Sequence, residues 1–98
     1  MKYQNASEVV DAVQWFKAGD HTEAIKILIT PEGTVREDSI IYSAWEDSIG
    51  SSLVTLVHAV ETEEGLVPVT AGDYIVTRAT GEIFPCQSDV FEQTWKPA

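Results

Sequence analysis

The apolar positions of this chain fall into short runs, most of them with a period of two. In "EVVDAVQWF", Glu8–Phe16, the residues Val9, Asp11, Val13 and Trp15 lie on one side, and Val10, Ala12, Gln14 and Phe16 on the other. This alternation of β-branched and aromatic residues predicts a first, mostly buried strand, which "KAGD" breaks. In "DHTEAIKIL" the period changes. Ala24, Ile25 and Leu28 share a helical face, Asp20 stands where an N-cap accepts amide hydrogen bonds, and Glu23 follows three residues later, as in a capping box. The spacing predicts the main helix over Thr22–Ile29. "TPEG" ends it, because Pro31 cannot extend a helix and disfavours helical geometry at Thr30.

"TVREDSIIYSAW" predicts a strand at Ile40–Trp45, and "EDSIGSS", Glu46–Ser52, a loop with Gly50 as its flexible point. "LVTLVHAV", Leu53–Val60, is apolar on both faces and is expected at the centre of a sheet. "ETEEG" is a charged turn, and Pro68 suits "LVPV", Leu66–Val69, to an edge. Thr70-Ala71-Gly72-Asp73 predicts a type II turn with Gly72 at positive φ. "DYIVTRA" and "EIFPC" then read as a hairpin about Thr80-Gly81. Ser88 or Asp89 can cap a short helical turn over Val90, Phe91 and Glu92, and "TWKP" reads as a last short strand anchored by Trp95. The expected fold is one α+β domain over residues 1–98. It has a mostly antiparallel sheet of about six short strands and one main helix.

Composition narrows the function classes. Sixteen acidic against six basic residues give a net charge of −10. No basic stripe is available to neutralise phosphates, so direct nucleic-acid binding and attachment to anionic membranes are disfavoured. No apolar run approaches the ~20 residues of a membrane span. The start, "MKYQNASEVVDAV", has no apolar signal core, and one cysteine cannot form an intrachain disulfide. A cytoplasmic protein is therefore expected.

Candidate chemistry is sparse. Cys86 is the only thiol. A helix start follows it at Ser88–Asp89, but Asp89 would raise the thiol pKa, and a lone cysteine after a strand is core filling. His21 and His58 are the only imidazoles, and a Cys86–His58–Asp triad has no local motif behind it. No CxxC, HxxxH or HExxH spacing offers a metal site, and no GxxxxGK or GxGxxG offers a phosphate cradle. Adjacent carboxylates on a strand would face opposite ways and form no catalytic dyad. No catalytic residue, cofactor site or metal site is therefore expected. Of the three tryptophans, Trp15 and Trp95 read as core; Trp45, beside an acidic loop, reads equally as core or as partner contact.

"VDAVQWFKAGDH" near the start and "AGDYIVTRATGEIFPCQSDVFEQTW" near the end resemble a widespread family of small phage and prophage proteins. That family opens with "AVQWF…GDH" and closes with "GDYI…GE…PC…D.FE". The likeness covers about a third of the chain and leaves Ala24–Val69 unmatched. This chain has Ala71 where the family has proline, Gln87 and Ser88 where it has a basic residue and then proline, and Trp95 where it has tyrosine. The resemblance implies origin and compartment, an accessory protein made in the cytoplasm of an infected bacterium, rather than a mechanism.

Together these features lead to the expectation of a non-enzymatic acidic protein that binds a host or phage protein with a basic surface. In its sharpest form it is a DNA mimic, with Glu37, Asp38, Glu46, Asp47, Glu61, Glu63 and Glu64 standing in for phosphates and Trp45 beside them. The same acidity also serves solubility alone. A structural component forming a homodimer through an exposed strand edge is the alternative, and a cysteine-dependent enzyme a third reading.

Overall fold

The computed structural model describes residues 1–6 and 8–98. It resolves the expected α+β domain into two antiparallel sheets with two short helices, and nine strands among the described residues where about six are expected. β1 (Lys2–Asn5), β2 (Glu8–Gln14), β7 (Tyr74–Thr77), β8 (Ile83–Cys86) and β9 (Lys96–Pro97) form the first sheet, in the order β8-β7-β2-β1-β9. β3 (Ala24–Thr30), β4 (Gly33–Arg36), β5 (Thr55–Thr62) and β6 (Gly65–Val69) form the second, in the order β4-β3-β5-β6. The molecule is a rod of 47 × 23 × 20 Å.

Four strands of the first sheet, β2, β7, β8 and β9, fall where the sequence pattern expects them, and β1 is not among the expected strands. Val10 and Ala12 of β2 are buried, whereas Val9 and Val13 on the other face are partly exposed. Gly72 takes φ +99° in the turn before β7, and the Asp73 N–H donates to the Thr70 carbonyl. β7 is buried on both faces. Tyr74 and Val76 pack with Phe91 of α2 (Ser88–Thr94), while Ile75 faces the second sheet. The helix is capped at Gln87 without a side-chain bond, so neither Ser88 nor Asp89 is the cap. Trp95 is buried, and the residues after it pair with β1 as the last strand.

The second sheet overturns two expectations. Residues 24–30 form β3, not the main helix. Ile25, Ile27, Ile29 and Thr30 are β-branched, which favours a pleated strand, and β4 and β5 pair with β3 on either side. The capping-box residues serve a turn instead: the Asp20 carboxylate accepts from the Phe16 and Lys17 N–H groups behind it, at 2.9 and 3.1 Å. Residues 40–45 are not a strand. They enter α1 (Tyr42–Glu46), and Ile40 is 95% exposed with no neighbouring strand to cover it.

"TPEG" is a hairpin turn, and it has a twin. At Thr30-Pro31-Glu32-Gly33, the Thr30 hydroxyl donates to the Gly33 carbonyl (2.8 Å) and accepts from the Glu32 N–H (3.1 Å). Thr62-Glu63-Glu64-Gly65 repeats both bonds at 2.9 and 3.1 Å. The closing glycines have φ +116° and +108°, a backbone that only glycine adopts without strain. β5 lies centrally and β6, with Pro68, at an edge, as its proline predicts.

Trp15, Val60, Val69 and Ile75 join the two sheets. By register, Leu28 and Val35 share the inner face of the second sheet with Val60 and Val69. Where the first sheet does not reach, α1 covers that face: Tyr42 and Trp45 pack on Leu28, Val35 and Val54.

Candidate partner-binding surface

Two arginines organise the carboxylates. Arg36 closes β4, and its guanidinium meets Glu61 of β5 at 3.0 Å and Asp38 at 3.6 Å. Arg36 and Glu61 lie on the outer face of the second sheet with Ile27 and Ala59, so the pair spans the one intervening strand, β3. Hydrogen bonding and attraction from Glu61, then attraction from Asp38, raise the guanidinium pKa above its ordinary value. Ile25, Arg36, Glu37 and Asp38 enclose a hollow of about 110 Å³. The structure thus gathers Asp38 and Glu61 around one cation, with Glu37 beside them on the lining of the hollow.

Arg78, just past β7, lies 3.4 Å from Glu8 and 3.2 Å from Glu82, with its guanidinium 5.2 Å from the centre of the Phe84 ring. It borders a cleft of about 360 Å³, with Glu63, Glu64 and Val67 on one side and Glu82 and Phe84 on the other. Glu63 and Glu64 form the tip of the β5–β6 hairpin, and Glu61 lies two residues before them. Both arginine-centred groups therefore border the same end of β5.

Trp45, Glu46 and Asp47 lie apart from these groups, on α1 and its C-cap. Trp45 is half-buried and packs against the cluster of Leu28, Val35 and Val54. Glu46 and Asp47 sit at a helix C-terminus, where the backbone dipole disfavours negative charge. The organising cations Arg36 and Arg78 were absent from the expected site. Their signals in the sequence are local: Arg36 directly precedes Glu37-Asp38, and Arg78 stands four residues before Glu82.

Cys86 packs on the α2 face of the first sheet, opposite Tyr74. Burial, then Asp73 and Asp89, raise its thiol pKa. His58 lies on the other side of that sheet, between the layers, with its ring 5.1 Å from Trp15. A strand therefore separates the thiol from the imidazole. His58 sits in the central strand β5, and its buried Nε2 has no hydrogen-bond partner among the described residues. His21 is not at a helix start; its Nδ1 accepts from the Glu23 N–H at 3.0 Å. Among the described residues no three His, Cys, Asp or Glu side chains converge as metal ligands, and no helix is long and apolar enough to cross a membrane. No family model, curated protein or solved structure matches this chain.

Proposed function

We propose that this domain is a non-enzymatic accessory protein that binds a basic surface on a host or phage protein, in the cytoplasm of an infected bacterium. One observation carries the reading. Among the described residues, six of the sixteen carboxylates meet a cation, and ten, among them Glu37, Glu46, Asp47, Glu63 and Glu64, do not. That unspent charge sits on a rod about as thick as a nucleic-acid duplex.

Charge density limits the mimicry. Over its 47 Å length the rod carries one net charge per about 4.7 Å, against one per ~1.7 Å of duplex DNA. It is too dilute to replace a long duplex, and it suits a short basic patch, which a rigid acidic face holds without the cost of bending DNA. Such binding is driven by charge and weakens in salt.

The test is competition. A basic DNA-binding protein of the bacterial host is loaded with a fluorescent duplex and titrated with this chain. Release of the duplex is expected, with apparent affinity falling at least ~tenfold between about 50 and 200 mM salt. Replacing Glu37, Glu63 and Glu64 by Gln is expected to cost a further ~tenfold, about 1.4 kcal/mol. Affinity unchanged across that salt range would remove the charge-driven reading.

A further inference from the structure

We propose that the basic partner docks by adding an extended strand to the free edge of β4. This deepens the acidic-surface reading above and rests on it for the partner's charge.

Each sheet ends in two terminal strands, and three of the four carry a proline: Pro85 in β8, Pro97 in β9 and Pro68 in β6. Ladder parity shows where their nitrogens point. The Arg78 N–H donates to the Glu82 carbonyl, so every second pair from there is bonded, and the Ile75–Pro85 pair is not. The Ala98 N–H donates to the Lys2 carbonyl, which leaves the Tyr3–Pro97 pair unbonded in the same way. In the second sheet, the bond from the Glu37 N–H to the Lys26 carbonyl turns the backbone groups of the odd-numbered residues of β3 towards β5, so Ile25–Ala59 is a bonded pair and Ala59–Pro68 is not. Each proline thus stands at an outward position, where an incoming strand would need an N–H and finds a ring.

β4 is different. The Glu37 N–H donates to the Lys26 carbonyl, so Leu28–Val35 is a bonded pair, and Thr34 and Arg36 direct their backbone groups outward. Both residues retain an N–H. The Arg36 carbonyl accepts from the Ser39 N–H, whereas the Thr34 N–H, the Thr34 carbonyl and the Arg36 N–H have no partner among the described residues. Thr34 is exposed, and Ile29 opposite it on β3 is 43% exposed. An added strand would satisfy the ladder and extend the Ile29 face.

The charge around this edge selects the occupant. Glu32 stands at one end and Glu37 and Asp38 at the other, so a second copy of this chain would bring like charges together at net −10 each. A strand alternating lysine with apolar residues meets both the carboxylates and Ile29.

The probe is a capped peptide alternating lysine and valine, with a glutamate–valine control, added to the full chain labelled with ¹⁵N. The lysine peptide is expected to shift the Thr34 and Arg36 amide signals and to slow their hydrogen exchange at least ~tenfold. Glu32→Lys with Glu37→Lys is expected to weaken binding at least ~tenfold, and Thr34→Pro to abolish the protection while the other amide signals stay in place. Should Thr34→Pro fail to fold, exchange in the unaltered chain decides. Shifts confined to Glu63, Glu64 and other carboxylate-bearing residues, with Thr34 and Arg36 unmoved, would overturn the edge and leave the acidic reading standing. No shift anywhere would overturn both. Equal binding of the glutamate peptide would overturn the basic partner. Protection of Thr34 and Arg36 without peptide, in a dimer detected by light scattering, would make a second copy the occupant and overturn the proposal.

Discussion

The two helices cover their sheets in contrasting ways. Under α2, Phe91 is fully buried, stacked on Tyr74 at 4.0 Å and met edge-on by Tyr3 at 4.8 Å. α1 contributes no fully buried residue, and Ile40, Ile41 and Leu53 around it are 95%, 49% and 62% exposed. The α2 end is an interlocked aromatic core; the α1 end is a cover laid over the second sheet. Stability should therefore reside at the first end, and tolerance to change, and room for a partner, at the second.

Alanine substitutions at the two ends test this most strongly. Phe91→Ala is expected to destabilise the chain by about 3–5 kcal/mol, a large part of the ~5–15 kcal/mol typical of a small domain. Trp45→Ala, which removes a half-buried ring, is expected to cost about 1–2 kcal/mol. Urea unfolding followed by circular dichroism measures both. Equal losses would break the contrast and make α1 an integral part of the core.

The same contrast explains what could be read from the sequence. β7, β8 and α2 were legible because every device that shapes them is local: Gly72 and Gly81 at positive φ, Pro85 at an edge, and strands a few residues apart. β3 was not legible, because Ala24, Ile25 and Leu28 fit a helical face as well as Ile25, Ile27 and Ile29 fit a strand. Pairing with β5, some thirty residues on, decides between them. β1 and β4 each carry little apolar signal and exist through their partners, β2 and β3. The carboxylates of the candidate surface were visible as a surplus. Their grouping around Arg36 and Arg78 was not, since it depends on which strands meet.

A smaller effect sharpens the comparison within the second sheet. The twin turns at Thr30–Gly33 and Thr62–Gly65 share a hydrogen-bonding scheme, but the first carries Pro31, which is already fixed near the φ its turn needs. Gly33→Ala and Gly65→Ala would each force a side chain into positive φ where no neighbour lies within 4 Å. The expected cost is backbone strain alone, about 1–2 kcal/mol each. Glu63→Pro, copying the first turn into the second, is expected to recover about 0.4–1 kcal/mol by restricting the unfolded chain. Thermal unfolding of the three variants checks this. A loss well beyond strain at Gly33 but not at Gly65 would show that the two turns are not equivalent.

The smallest expected effects separate two aspartates. Asp11 on β2 is held below its ordinary pKa chiefly by a hydrogen bond from the N-terminal ammonium and then by Lys2, at 2.9 and 3.2 Å. Asp20 is also held low, chiefly by the Phe16 N–H. Each stabilises the fold above the ordinary aspartate pKa, and that contribution is lost as pH falls through the lowered folded value. The causes respond differently to salt. An exposed ion pair is screened, whereas a hydrogen bond from a fixed backbone N–H is not. Carboxyl ¹³C titrations at low and high salt should therefore move Asp11 back towards an ordinary aspartate and leave Asp20 depressed. Equal movement of both would show that Lys17, 3.2 Å from Asp20, rather than the backbone of the loop, holds that carboxylate down.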